Sequence, residues 1–348
     1  MVSREAILVS VVIPNYNGSA FLETCLKSLE RQTYRGFEVV FVDNASQDDS
    51  LEIVRRLAPW AVVVEQSQNL GFSGGVNAGV RIAHGEWIAV LNNDTEASED
   101  WLEECLAALE RHPEVSFLAC RILDFRDRRL LYSAGDCFLR TGIGYRRGHG
   151  QIDAPAYQRE AEIFSACGCA ALYRKSTLEA AGGFDNKFFA YMEDVDLSLR
   201  MQAAGAHGYY VPQAVVFHRG GGTSGGEFSR LTVRLHTRNC VLMLLQSVPA
   251  VIFWRCLPMI LLGQAAWLAR VVARGRLLSY LRGLAGVFPL LGSALDRRRP
   301  MRSLWRKSRN DLWRGILKSE NMARMDFPAR NPDHSSTFLH WYFRLFSP

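Results

Sequence analysis

The chain predicts an α/β fold with a mostly parallel sheet, followed by a helical, basic C-terminal region, and three observations carry this. Apolar runs at residues 8–14, 37–42 and 87–91 alternate with stretches of helical spacing, the pattern of strands joined by crossover helices. Each of these runs ends in a polar loop rich in Asn, Asp or Ser, so the loops gather at one sheet edge. Charge is also divided. Residues 241–348 hold 17 Lys+Arg against 5 Asp+Glu, a net of +12, whereas residues 1–240 hold 24 against 30, a net of −6. The expected division is therefore 1–240, an α/β domain, and 241–348, a helical basic region.

At 348 residues, with 48% hydrophobic and 22% charged content, the chain can bury a large core, and disorder is not indicated. Eight cysteines show neither redox nor zinc spacing, the pair at Cys167 and Cys169 being one residue apart, so they read as reduced core residues of a cytosolic protein. Residues 1–6 (MVSREA) lack the apolar run of a signal peptide, and export is not expected.

The first strand, 8–14, runs into the loop PNYNG at 14–18, and a helix follows with Phe21, Leu22, Cys25, Leu26 and Leu29 on its apolar face. A second strand, 37–42, ends at Asp43 and Ser46; Asp48 or Asp49 opens the next helix, and 60–65 is a third strand. The glycine-rich start of a third helix, 69–79 (NLGFSGGVNAG), fits neither the dinucleotide fingerprint nor the Walker pattern. Its amides could approach a phosphate or sugar; close helix packing is the plainer reading.

The fourth strand, 87–91, runs into Asn92, Asn93 and Asp94, side chains suited to a cation or a polyol, although a turn with Ser98 capping the next helix would use the same residues. Asn15 and Asn17, Asp43 and Ser46, and Asn92 to Asp94 thus mark the candidate pocket. A helix over 101–111 and a strand over 115–120 follow. Residues 126–157, rich in Gly and Arg, read as short strands and a mobile loop of unassigned role. A small-residue strand at 163–173 and a helix at 176–181 come next.

Glu193, Asp194 and Asp196 open a further helix, where they complement its dipole. Arg200 stands four residues after Asp196 and pairs with it, which leaves Asp194 on another side as a candidate general base. Strands at 207–211 and 215–218 end at His218, before the glycine loop 220–226, a position that suits a ligand beside a moving segment.

These segments together resemble the family 2 glycosyltransferases of the GT-A fold, most closely the bacterial branch that includes rhamnosyltransferases, over the first 240 residues or so. The matching pieces are 12–17 (VIPNYN), 42–46 (VDNAS), 69–72 (NLGF) with Gly75 and Asn77, 91–95 (LNNDT), 182–185 (GGFD), 189–200 (FAYMEDVDLSLR) and His218. The resemblance implies a GT-A-type, Rossmann-like catalytic domain and an inverting, metal-dependent glycosyltransferase. It implies Asp194 as catalytic base, and Asp94 and His218 as ligands of Mg²⁺ or Mn²⁺ on the donor diphosphate. Nucleotide-sugar-binding positions follow at Pro14, Asn15, Asn17, Asp43, Asn69, Gly75, Asn77, Asn93 and Glu193. The sequence departs from a strict D-x-D, because Asn92 stands at the first Asp position. The implied donor is dTDP-rhamnose, with a UDP-sugar next, and the implied acceptor a polyprenyl-diphosphate-linked saccharide of cell-surface polysaccharide synthesis.

The tail fits such an acceptor. Residues 241–262 are strongly apolar but interrupted by Pro249, Arg255 and Pro258, and Trp267 onward mixes apolar residues with Arg270, Arg274, Arg276 and Arg282. Basic residues among Leu and Trp read as a segment on, or anchored to, the anionic inner face of the cell membrane. A helical pair packed on the catalytic domain with a solvated basic face is the alternative. No nucleic-acid motif accompanies the charge, so nucleic acid is not an expected partner. A nucleotidyltransferase lacks support, since the loop at 14–18 has no Lys or Arg. A non-catalytic membrane scaffold would have no need of Asp94, Asp194 and His218.

Overall fold

The computed structural model describes residues 8–221, 226, 228–327 and 337–346, without the side chains of 306–308. The signal-peptide reading of residues 1–6 and most of the glycine loop after Gly221 lie outside the described residues. The first half of the domain alternates as expected. Strands β1 (Val9–Asn15), β2 (Phe37–Asp43), β3 (Val62–Glu65) and β4 (Trp87–Leu91) form a parallel block in the order β4-β1-β2-β3. Their connections are helices α1 (Ser19–Glu30), α2 (Ser50–Leu57) and α3 (Gly71–Ile82).

Side-chain alternation along β1 explains the layers. Val9, Val11 and Ile13 face one core with Leu22, Leu26 and Leu29 of α1, while Val12 faces the other with Val76 and Val80 of α3. Both faces of the sheet are covered, which is why β1 and β4 are buried at every position.

Beyond β4 the sheet becomes mixed. A three-residue strand β5 (Thr95–Ala97) and helix α4 (Trp101–Arg111) precede β6 (Phe117–Asp124), which runs four residues past the expected end. The apolar stretch at 163–173 is two strands rather than one: β10 (Ala161–Ile163) at the far edge and β11 (Ala170–Arg174), antiparallel between β4 and β6. Helix α5 (Lys175–Ala180) and helix α6 (Glu193–Ala203) lead to β12 (Gly208–His218), one long strand where two were expected. Its register shifts between Val211 and Val215, so Pro212, which has no N–H to give a ladder, sits in an irregularity instead of ending the strand.

Residues 126–157 contain β7 (Leu131–Ser133), paired with β6, and the hairpin β8 (Asp136–Phe138) and β9 (Gly144–Arg146). The C-terminal region is helical: α7 (Arg230–Gln246), α8 (Ala250–Ala273), α9 (Leu277–Ala285), α10 (Leu291–Asp326) and α11 (Thr337–Leu345). It shares a core with the first region, since Val195 and Leu199 of α6 cluster with Cys240 and Met243 of α7 and with Ile316 of α10. Residue 240, where the composition shifts, lies inside α7.

The tail also clamps the β8–β9 hairpin. Glu320, fully buried, receives Arg140 Nε at 2.8 Å, the Arg140 backbone N–H at 2.7 Å and the Tyr342 hydroxyl at 2.9 Å. Asp326 accepts from the Tyr145 and Tyr157 hydroxyls at 2.7 and 2.8 Å and from the Gly148 N–H at 3.2 Å. Charge-assisted hydrogen bonds of this kind fix geometry more firmly than neutral ones.

Candidate functional site

A cavity of about 410 Å³ opens at the carboxyl ends of β1 and β4, between the starts of α3 and α6. Pro14, Asn15, Asn69, Asn93, Asp94, Glu193, Asp194 and His218 all line it, so most of the expected site residues meet in one place. Asn92, at the first position of the motif, is on its wall too.

Asp43 stands one step back. It is buried beside Asn15, whose Nδ2 donates to its Oδ1 at 3.2 Å, and its Oδ2 accepts the Ser46 N–H at 2.9 Å. Asn93 Nδ2 in turn donates to Asn15 Oδ1 at 2.6 Å, so three successive strand ends are tied by one hydrogen-bonded chain.

Asn17, Gly75 and Asn77 are not among the lining residues. The Asn17 side chain is exposed and accepts the Gln47 N–H at 2.8 Å. Gly75 is inside α3, where a Cβ would fall 2.6 Å from Asn44 Nδ2. Asn77 is spent on a brace: its Nδ2 donates to Phe184 O at 2.7 Å, and its Oδ1 accepts the Phe184 N–H at 3.1 Å.

Asp94 and His218 are brought together by a strand pair absent from the sequence reading. His218, the last residue of β12, is opposite Thr95 of β5, so its ring reaches the residue before Thr95. His218 Nε2 lies 3.1 Å from Asp94 Oδ1, with both residues less than a tenth exposed. Burial alone would raise the Asp94 carboxyl; the hydrogen bond and charge of His218 outweigh it and hold the group below the usual aspartate range. The other ring nitrogen, Nδ1, is buried with no hydrogen-bond partner among the described residues, while the Tyr132 ring stands edge-on at 4.4 Å.

The acidic trio divides as its spacing suggests. Asp196 and Arg200 form a fully buried pair at 2.8 Å, supported by Gln246 Nε2 and the Ser247 hydroxyl from the end of α7. Asp194 instead faces the cavity, where its Oδ2 accepts the Gly168 N–H at 3.0 Å and its Oδ1 the Val195 N–H at 2.8 Å. Glu193 is buried with Oε2 unpartnered among the described residues. Burial, then the charges of Asp194 and Asp196, push its carboxyl well above the usual range and favour the protonated form.

The segment leading into these acids is strained. Phe189, Tyr191 and Met192 have φ of 64°, 71° and 68°, the left-handed region that costs a non-glycine residue about 1–3 kcal/mol. Asn239 of α7, fully buried, holds the segment through Nδ2 contacts to Phe188 O at 2.9 Å, Ala190 O at 2.9 Å and Tyr191 O at 2.7 Å. Arg238 adds bonds to Lys187 O and Phe188 O. From the other side the turn packs on Gly71, itself at φ 70°, where a Cβ would fall 2.4 Å from Phe189 O.

Several lining residues escaped the sequence reading. The hairpin region contributes Tyr132, Asp136 and Arg146, with the Arg146 guanidinium 4.4 Å over the Tyr132 ring. Ligand atoms of Asp136, Cys167 and Asp194 lie within 4.8 Å of one another. Helix α7 contributes Leu231, Leu235 and His236. Burial and then the charge of Arg270 pull the His236 pKa down to about 4, and its ring packs on Trp267 at 4.6 Å. The only available signal was the Gly- and Arg-rich composition of 126–157, which carries no periodicity.

Residues 10–182 match the profile described as Glycosyl transferase family 2. The chain is 28% identical over 242 residues to the N-acetylglucosaminyl-diphospho-decaprenol L-rhamnosyltransferase of Mycobacterium tuberculosis, covering 63% of this chain and 78% of that protein. It is 29% identical over 223 residues to the O-antigen biosynthesis protein RfbC of Myxococcus xanthus, covering 60% of this chain but only 17% of RfbC. It likewise spans only 25% of protein y4gI of Sinorhizobium fredii, at 28% identity over 238 residues and 63% of this chain.

Among solved structures, residues 1–349 of S. aureus TarS in complex with UDP-GlcNAc superpose with a TM-score of 0.53 at 16% identity, covering 92% of this chain and 93% of that one. The mannosyltransferase PcManGT of Pyrobaculum calidifontis, in complex with GDP-Man and Mn²⁺, gives 0.51 at 21%, covering 90% and 86%. At such identities the superpositions establish the GT-A fold alone. The family match runs from β1 to the end of α5, the span that carries most of the polar edge of the sheet, and on this evidence residues 10–182 belong to glycosyl transferase family 2.

Proposed function

We propose that the cavity binds a nucleoside-diphosphate sugar, with dTDP-rhamnose the preferred donor, and that the sugar is transferred with inversion to a saccharide carried on polyprenyl diphosphate. The transfer takes place at the inner face of the cell membrane. One observation carries the reading: a buried carboxylate and imidazole, Asp94 and His218, share a cavity with a second carboxylate, Asp194, held on a different element. The rhamnosyltransferase named among the relatives supports the choice of donor, and its decaprenyl-diphosphate substrate that of acceptor.

Asp94 and His218 would hold a divalent ion, Mg²⁺ or Mn²⁺. A hard carboxylate oxygen beside an imidazole, with a second ring nitrogen buried and unpartnered, fits such a cation. The alternative group of Asp136, Cys167 and Asp194 fits less well, because a thiol is a soft ligand and two backbone amides already occupy Asp194. When bound, the ion supplies Lewis-acid stabilisation of the charge that develops on the departing diphosphate.

The chain's own residues do the rest. Asn15 and Asn93, fixed to Asp43, present a rigid amide edge to the nucleotide. Asp194 accepts the proton of the attacking acceptor hydroxyl, and its two amide bonds hold the carboxylate in one orientation. Glu193, protonated, can donate a hydrogen bond to the donor sugar without adding charge.

Thermal shift with a panel of nucleotide sugars, with Mg²⁺ or Mn²⁺ and again with EDTA, tests this. A donor at 100 times its Kd stabilises by about 2.7 kcal/mol, about 4 °C for a chain of this size. Metal-dependent stabilisation by dTDP-rhamnose supports the reading. A response to UDP-sugars alone replaces the donor, and silence across the panel removes the reading.

A further inference from the structure

We propose that the outer face of α8 and α9 is a docking surface for an anionic lipid leaflet, and that α8 lies lengthwise in that leaflet instead of crossing it. The inference rests on the proposed lipid-carried acceptor, and it adds the surface, its orientation and the charge of its partner.

Helix α8 is long and apolar enough to cross a membrane, yet only 22% of its most apolar stretch is buried in the protein. One side is committed along its length. Ile252, Cys256, Ile260 and Val271 are buried, Gly263 backs onto Thr141 so closely that a Cβ would fall 2.9 Å from it, and Trp267 Nε1 donates to Thr237 Oγ1 at 2.9 Å. The opposite side is apolar and open: Val251, Trp254, Leu261, Leu262 and Val272 are 44–68% exposed. At about 100° per residue these five fall within an arc of about 100°, a single stripe. Leu277, Leu278 and Leu281 of α9 continue it at 45–61% exposed, and Phe288 beyond them at 76%.

A soluble helix turns polar residues outward, and an apolar patch of this extent marks an interaction surface. Charge identifies the partner. From residue 228 to residue 295 there is no Asp or Glu, and there are eight Arg. Guanidiniums flanking an apolar stripe suit phosphate headgroups above an acyl layer. A second copy fits poorly, because a twofold contact would set the same arginines against each other.

Crossing the bilayer is excluded by the committed side. A spanning α8 would carry Thr141 and the nearby Arg140–Glu320 pair into hydrocarbon with it. Lying flat keeps them in water. The placement also serves the cavity. Helix α7 lines the cavity with Leu231 and Leu235, and its Arg234 carbonyl and Thr237 pack on Gly283 of α9. A single helix therefore separates the cavity from the docking surface, close enough for a headgroup sugar to enter while its lipid stays in the leaflet.

The test uses the full chain with vesicles of phosphatidylcholine alone or mixed with phosphatidylglycerol, read by co-sedimentation. Binding should require the anionic lipid and weaken with salt. The double variant Trp254→Glu, Leu278→Glu should bind at least about tenfold less, with its melting temperature and donor stabilisation unchanged. A nitroxide on Leu261→Cys, reactive where all eight native cysteines are buried, should report a depth of about 5–10 Å. A depth near the bilayer centre, about 15 Å, would overturn the flat orientation. Equal binding of both proteins, no vesicle binding at all, or a dimer that only the double variant loses would overturn the surface. Donor stabilisation measured without vesicles keeps these outcomes separate from any failure of the glycosyltransferase reading.

Discussion

Replacing Asn239 should disable turnover from outside the cavity. Its amide nitrogen contacts three carbonyls of the segment that aims Asp194, and Asn239 itself lines no part of the cavity. In Asn239→Ala, Phe188 O keeps a bond from Arg238, whereas Ala190 O and Tyr191 O lose theirs. An unsatisfied buried acceptor costs about 1–3 kcal/mol. Because both residues are half-buried, we expect about 2–4 kcal/mol in total, a fall in melting temperature of about 3–5 °C for a chain of this length. The left-handed residues 189, 191 and 192 would then relax, and a misplacement of about 1 Å at a reacting group can cost about 10²-fold in rate. Asn239→Leu, which fills the space but cannot donate, should behave in the same way. Melting curves and the rate of nucleoside-diphosphate release, with donor affinity measured alongside, check this. Wild-type turnover in both variants, or a loss confined to donor affinity, would refute the link between Asn239 and the base.

Asp194→Asn should lower turnover by about 10²- to 10⁴-fold with donor affinity nearly intact, and unchanged nucleoside-diphosphate release would remove it as the base. Glu193→Gln should stabilise the protein increasingly above pH 4.5. The raised carboxyl stays protonated in the folded state while the unfolded one ionises, so wild type loses stability as pH rises and the amide does not; melting at pH 5 and pH 8 compares them. His236 acts in the opposite direction. Its pKa is about 4 folded against 6.5 unfolded, so stability present above pH 6.5 is lost as pH falls towards 4, by no more than about 3 kcal/mol. In His236→Phe that acid slope in urea unfolding should disappear.

The parallel half of the fold was legible because β1, β2 and β4 are mostly apolar runs that lead into Asn or Asp. The Asp196–Arg200 pair followed from helical spacing, and with it the freedom of Asp194. What could not be read depends on distant partners. β5 is three residues long and exists because β12, more than a hundred residues later, pairs with it. The wall formed by Tyr132, Asp136 and Arg146 depends on a hairpin held by Glu320 and Asp326, some 180 residues away, and no local pattern announces a contact of that range. The strands expected at 207–211 and 215–218 are one, because an irregularity in β12 accommodates Pro212, which has no N–H for the ladder.

Chimaeras between family members would meet a hidden seam at α7. Composition invites a junction at residue 240, yet Asn239 holds the loop before the base, and Gln246 and Ser247 hold Asp196 behind it. A C-terminal region borrowed from a relative would therefore bring its own version of these grips and aim Asp194 anew. Residues 238–247 belong with the sheet as a unit of inheritance, and an exchange that respects them has to cut after Ser247.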